Sequence, residues 1–331
     1  SDDNFDGVAD QTVSVTTTDN DAAGFTITQS GGSTSVSEDG TTDTFTIVLN
    51  AQPASDVVLT ITSSDTGEAT VNSPLTFTAG NWNSAQTVTV TGVNDNLVDG
   101  TINSTITVSV KDDSSDNNFD PVADQTVSVS TVDNDTAGFT ITETGGSTAV
   151  AETGTTDTFA VVLTAQPSSD VVLSITSGDT GEAVVNGSTA SNNILTFTSG
   201  NWNTPQSFTV TGVDDNLVDG TITSTLTVAV VDALSDDSFD AVADQTVSAN
   251  TTDNDTAGFT VTQSGGSTSV SEAGTTDTFT VVLSAQPTSD VVITITSSDT
   301  GEATVNSPLT FTPANWNSAQ TVTVTGVDDN I

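Results

Sequence analysis

The stretch DNDTAGFTITETGGSTAVAE, residues 133–152, carries the fold of this chain, because it occurs three times. It returns as DNDAAGFTITQSGGSTSVSE at 19–38 and as DNDTAGFTVTQSGGSTSVSE at 253–272, spacings of 114 and 120. Trp82, Trp202 and Trp316 mark the same period, each within Asn-Trp-Asn. The six-residue difference sits in one place, where VNSPLTF at 71–77 becomes VNGSTASNNILTF at 185–197, a loop insertion. Self-similarity at this length denotes an array of whole domains rather than a short-repeat solenoid. Inside each copy the hydrophobic period is two. TFTIVL at 44–49 alternates Phe45, Ile47 and Leu49 with threonines, and QTVTVTGV at 86–93 and STITVSV at 104–110 do the same. Such alternation places one strand face on a core and the other in water. No segment sustains a helical apolar stripe. About seven short strands per copy, divided by Gly, Asn, Asp and Pro turns, predict an all-β chain of tandem Greek-key β-sandwich domains.

The repeats set the boundaries. Residues 1–21 match 115–135 and read as the C-terminal strand of a preceding repeat. Two complete repeats follow, 22–135 and 136–255, and 256–331 reads as a truncated third. The preferred explanation is a window from a much longer protein. The alternative is that neighbouring chains in a filament complete the broken unit by strand donation.

Composition excludes whole classes of function. Of 331 residues, 44 are acidic and one, Lys111, is basic, a formal charge of −43. A nucleic-acid backbone needs lysine and arginine to displace its counterions, and an anionic membrane needs the same. No stretch approaches the ~18 apolar residues of a membrane span. His and Cys are absent, which removes histidine triads, cysteine nucleophiles, disulfides and ordinary zinc sites. The partners suited to such a surface are cations.

The carboxylates gather at strand ends. In the first complete repeat they are Glu38, Asp65, Asp95, Asp99, Asp133 and Asp135. In the second they are Glu152, Asp179, Asp214, Asp215, Asp219, Asp253 and Asp255. Asp19 and Asp21 hold corresponding places in the leading copy, as do Glu272, Asp299, Asp328 and Asp329 in the last. A sandwich collects its turns at two ends, so turns far apart in sequence can converge. Converged carboxylates without basic partners repel one another. A hard divalent ion relieves that repulsion, and Ca2+ takes about six to eight oxygens in flexible geometry, whereas Mg2+ demands a tighter octahedron. The competing reading is that Asp and Asn serve as turn formers and that the acids keep the surface soluble.

VSEDG at 36–40, GVNDNLVDG at 92–100 and DNDTAGF at 133–139 together resemble the Calx-β domain, an immunoglobulin-like sandwich of sodium–calcium exchangers and giant bacterial surface proteins. The three signatures occur in order in each complete repeat. The resemblance implies Ca2+ binding at one end of each sandwich, with Glu38, Asp65, Asp95, Asp99, Asp133 and Asp135 as the first repeat's ligand set. Asn94, Asn96, Asn134 and Gly100 stand where the family often has acids, which implies fewer ions and weaker binding.

The expected protein is therefore not an enzyme. It reads as a structural segment of a giant secreted or cell-surface protein, a calcium-stiffened stalk or extracellular filament used in adhesion or cell contact. Its expected partners are neighbouring repeats and, in a filament, identical chains. The alternative is that the repeats themselves grip a glycan, ice or another cell. Asn-Trp-Asn reads as a corner plug of the core rather than a sugar platform. A carboxylate pair could serve a glycosidase, but it would recur in every repeat without an insertion to build a substrate pocket.

Overall fold

The computed structural model describes residues 2–186 and 193–328. The loop insertion at 187–192 and Asp329 lie outside the described residues. The chain is all-β, and its compact units are 1–135 and 136–331. Among the described residues no helix is long and apolar enough to cross a membrane.

In the first unit the complete repeat forms β1 (Phe25–Gln29), β2 (Thr34–Ser37), β3 (Thr42–Leu49), β4 (Val57–Ser63), β5 (Ala69–Val71), β6 (Leu75–Phe77), β7 (Gln86–Gly92), β8 (Ile102–Val110) and β9 (Gln125–Val132). They pair as two sheets, β1-β3-β7-β5 and β2-β9-β8-β4-β6. Alternation supplies the core: Phe45, Ile47, Leu59, Phe77, Val88, Ile106 and Val129 are buried between the sheets, with the outward threonines in solvent. Trp82 is half-buried against this core, and its carbonyl accepts from Leu49 N at 3.1 Å. Asn81 Oδ1 closes the turn ahead of it by accepting from Thr78 N at 2.6 Å.

The strand count exceeds the expected seven for two reasons. The first strand divides at Gly31 and Gly32, which adopt φ of 66° and 86°, a conformation that costs a side-chain-bearing residue dearly. β1 stays in one sheet and β2 crosses to the other, where it runs parallel to β9. The segment between β4 and β7 then adds a three-residue strand to each sheet.

The second unit repeats the plan with β10 (Phe139–Glu143), β11 (Thr148–Ala151), β12 (Thr156–Leu163), β13 (Val171–Ser177), β14 (Ala183–Asn186), β15 (Ile194–Phe197), β16 (Gln206–Gly212), β17 (Ile222–Val230) and β18 (Gln245–Thr252). Its sheets are β10-β12-β16-β14 and β11-β18-β17-β13-β15. The third repeat contributes β19 (Phe259–Gln263), β20 (Thr276–Leu283), β21 (Val291–Ile293), β22 (Ala303–Val305), β23 (Leu309–Phe311) and β24 (Gln320–Gly326). Its first sheet, β19-β20-β24-β22, matches its sisters, whereas the second holds only β21-β23 among the described residues. Phe259 is 57% exposed, against 3% for Phe25 and 4% for Phe139.

Residues 8–24 form no strand. The matching β9 is held between β2 and β8, and a strand backbone without such neighbours has nothing to satisfy its N–H and C=O groups but water.

Candidate metal centre

Four turns at one end of the first sandwich bring the carboxylates together. Glu38 follows β2 and is held in place when its N–H donates to Val132 O of β9 at 3.1 Å. β2 can lie this close because β7 ends in Gly92, where a Cβ would overlap the Ser37 carbonyl. Glu68 enters from the turn before β5, its carbonyl accepting from Val93 N at 2.8 Å. The β7–β8 loop supplies Asp95 and Asp99. The residues after β9 supply Asp133 and Asp135.

Ligand-capable oxygens of Glu38, Glu68 and Asp99 lie within 4.8 Å of one another, and so do those of Glu38, Asp133 and Asp135. Glu38 belongs to both groups. The second repeat forms two groups as well, Glu152 with Glu182 and Asp219, matching the first repeat, and Glu152 with Asp255 and Asp215, in which the counterpart of Asp95 takes the place of the counterpart of Asp133. Glu38 is 1% exposed and Glu68 6%, and Glu152 and Glu182 repeat those values.

Several carboxylate positions are fixed by backbone donors. Asp133 Oδ2 accepts from Asp99 N at 3.1 Å and Gly100 N at 2.8 Å, and its Oδ1 accepts from Asp135 N at 2.6 Å. Asp253 does the same with Asp219, Gly220 and Asp255. Asp95 Oδ1 accepts from Leu97 N at 2.7 Å. Asn134 donates from Nδ2 to Asp39 Oδ1 and Asn94 Oδ1, and Asp214 Oδ1 accepts from Asn254 Nδ2 in the equivalent place. These bonds hold the cage shape but leave part of the cage unpartnered. Glu38 Oε1, Glu68 Oε2, Asp99 Oδ1 and Asp135 Oδ2 are buried without a hydrogen bond, as are Glu182 Oε2, Asp219 Oδ1 and Asp255 Oδ2. Unpartnered buried carboxylate oxygens are costly. The electrostatics agree: burial first, then the charges of Asp99, Glu38, Asp95 and Asp65, push Glu68 up to about 7. Burial, then Asp219 and Asp215, does the same to Glu182. Glu38, Asp99 and Asp135 are raised too, with burial the leading cause in each.

The expected ligands divide. Glu38, Asp99, Asp133 and Asp135, with Glu152, Asp215, Asp219 and Asp255, stand in the grouped sites. Asp95, Asp214 and Asp253 border them through the bonds above. Asp65 and Asp179 do not join: each folds its carboxylate back into its own turn, accepting from Gly67 N at 2.9 Å and Gly181 N at 3.0 Å. The residue delivered inward is instead the glutamate three positions on, Glu68 or Glu182. The repeated DTGE at 65–68 and 179–182 carried that signal. Asp299 makes the same turn with Gly301. Asp19, Asp21, Glu272, Asp299 and Asp328 are exposed and, among the described residues, join no group.

A cage made only of oxygens, anionic, partly backbone-fixed and lacking any basic partner fits a hard divalent cation of calcium's size and flexibility. Glu38, Glu68, Asp99, Asp133 and Asp135 would hold it in the first repeat.

No family model matches the chain, and no curated protein matches it. Solved structures are similar at low scores. Calcium binding domain CBD12 of CALX1.1 is 10% identical over 62% of this chain and 80% of that one, with a TM-score of 0.24. Domains 5-6 of the S-layer protein SbsC are 22% identical over 71% and 100%, at 0.23. Titin domains I67-I69 are 8% identical over 94% and 88%, at 0.28. At such scores these likenesses carry no argument about the site, and the β-sandwich class rests on the strand pairing itself.

Proposed function

We propose that the chain is a non-catalytic structural segment of a secreted or cell-surface protein, in which Ca2+ bound at one end of each sandwich fixes the junction to the next. The observation that carries this reading is the set of buried, unpartnered carboxylate oxygens beside the residues that lead into the following repeat. In the second unit the link is direct. The loop bearing Asp215 and Asp219 also holds the third repeat, through Val218 N to Gln286 O at 3.0 Å and Gln286 N to Asn216 O at 2.7 Å. An ion drawing Asp215 and Asp219 to Glu152 therefore restrains both ends of that loop. Repeats joined this way suit a stalk or filament that spaces one surface from another. Weak extracellular-type sites, with Kd roughly 10⁻⁴–10⁻³ M, suit a compartment where calcium is millimolar. Recurrence of the same carboxylates in both complete repeats supports a scaffold over a catalyst, because a structural ion is needed at every junction.

Thermal unfolding of the full chain in calcium, in magnesium at equal concentration and in chelator tests the reading. At a free concentration about 100 times Kd each site adds about 2.7 kcal/mol, a Tm rise of roughly 10 °C for repeats of this size. Equal melting in all three conditions would overturn it.

A further inference from the structure

The two complete repeats build their cages from nearly identical turns. DTGE at 65–68 and 179–182 is the same, and so is DND at 133–135 and 253–255. The turn after β2 and the loop after β7 each differ from their counterparts at one place: Asp39 becomes Thr153, and Asn94 becomes Asp214. One carboxylate has moved across the rim, so the formal charge of the two rims is equal. The membership of the cages is not. In each repeat the outer group is the less buried one, the group that includes Asp135 or Asp255. Asp215 belongs to it in the second repeat, whereas its counterpart Asp95 joins neither group of the first among the described residues.

The residue just before that aspartate accounts for the difference. Asn94 Nδ2 donates to the Asp95 carbonyl at 2.8 Å, and Asn94 Oδ1 accepts from Asn134 Nδ2 at 2.8 Å. One amide therefore ties the loop both to itself and to the DND turn. Asp214 keeps the second contact, accepting from Asn254 Nδ2 at 2.8 Å, but an ionised carboxylate has no donor for the Asp215 carbonyl. The shared glutamate is held alike in both repeats, Glu38 Oε2 accepting from Asn134 N at 3.3 Å and Glu152 Oε2 from Asn254 N at 3.0 Å. The third member of the outer group is what changes. Asp133 fills that place in the first repeat, although its oxygens already accept from three backbone N–H groups. Asp215 accepts one such bond, from Leu217 N at 2.6 Å, which leaves more of its lone pairs for a cation. Beside it Asp255 Oδ2 is buried without a partner, as is Oε2 of Glu182, itself 6% exposed, in the neighbouring group.

We propose, resting on the calcium reading above, that the residue at 94 or 214 selects whether the loop's first aspartate ligates the outer ion. Asn94 holds Asp95 out, Asp214 admits Asp215, and the second repeat binds Ca2+ more tightly than the first.

Calorimetric calcium titration of the full chain with one cage silenced reads each repeat: Glu152→Gln/Asp219→Asn exposes the first, Glu38→Gln/Asp99→Asn the second. Cooperative melting in chelator checks that each variant is folded. The second repeat is expected to bind about tenfold more tightly. Asp214→Asn should remove that advantage, and Asn94→Asp should confer it on the first repeat. Because an added charge alone would give part of the gain, Asp95→Asn is the deciding readout. It should change the first repeat's affinity less than about twofold, yet weaken it about tenfold once Asn94→Asp is present, a coupling that an added charge does not produce. Equal affinities in the two repeats, an unchanged second repeat in Asp214→Asn, or an Asp95→Asn penalty that is the same with and without Asn94→Asp would overturn the proposal and leave the calcium reading standing. The loop would then be set by its bonds to Gln286 and not by Asp214. Absence of binding in both repeats up to about 10 mM calcium overturns the two together.

Discussion

Glu68 and Glu182 turn the acidic cage into a pH-dependent element. Both are pushed up to about 7 from an ordinary 4.5, so without metal the folded state holds its proton more tightly than the unfolded one. Below about 4.5 both states are protonated and no penalty arises. Between 4.5 and 7 the unfolded chain ionises first, and stability falls as pH rises. Above 7 the penalty is complete. In chelator the chain should therefore melt several degrees lower at pH 8 than at pH 5.5, and Glu68→Gln/Glu182→Gln should flatten that slope. On the proposed function calcium would reverse the sign, since a divalent ion binds a deprotonated cage, so its stabilisation should grow through the same window and shrink in the double variant. A slope unchanged by the variant would place the raised proton affinity on other groups. These two glutamates also mark where the sequence misleads. Asp65 heads its turn and looks like the donor, yet an Asp at that position satisfies its own backbone first. Which acid then faces inward depends on the turn's path into β5, which spacing alone does not reveal. Glu38 and the DND acids were legible because they end strands of strict period two.

At the scale of the element, the long strands were readable and the short ones were not. β3, β7 and β8 run seven to nine residues and alternate cleanly. β5 and β6 have three residues each, too few for a period to show. The handover from β1 to β2 was hidden for a different reason, because Ser-Gly-Gly reads equally as a turn between hairpin strands or as a kink between sheets. Gly92 is a third such element-level feature: it lies in a strand, carries no positive φ, and is required by the approach of β2. Gly92→Ala should push the Ser37 carbonyl away, cost the first repeat roughly 2–4 kcal/mol and displace Glu38, the next residue. Calcium titration should then lose the first repeat's ions and keep those of the second, where Gly212 makes the same approach to Ala151. Gly80→Ala, which meets only Thr78 Oγ1 at 3.8 Å, is the matched control and should change neither quantity. Full calcium stoichiometry in Gly92→Ala would separate the strand approach from the site.

At the scale of the whole molecule, a charge of −43 with one lysine means that repulsion acts along the entire chain as well as inside each cage. Simple screening and specific binding should separate cleanly. Sodium chloride shortens the reach of surface repulsion, with a Debye length near 8 Å at about 0.15 M, but places no charge among buried oxygens. Calcium does both. Because the Asp215–Asp219 loop also bonds to Gln286, occupancy should be felt as restraint between repeats and not only as a higher melting point. Small-angle scattering of the full chain, extrapolated to zero concentration, isolates that effect. Moving from chelator to millimolar calcium at constant ionic strength should narrow the distribution of chain dimensions, and equal magnesium should leave it broad. Substituting Asp219→Asn should weaken the narrowing, because it removes an unpartnered anionic oxygen while keeping the loop's backbone bonds. If calcium raises Tm but leaves the scattering profile unchanged, the ion stabilises each sandwich alone, and restraint between the second and third repeats must come from the Val218–Gln286 and Gln286–Asn216 bonds themselves.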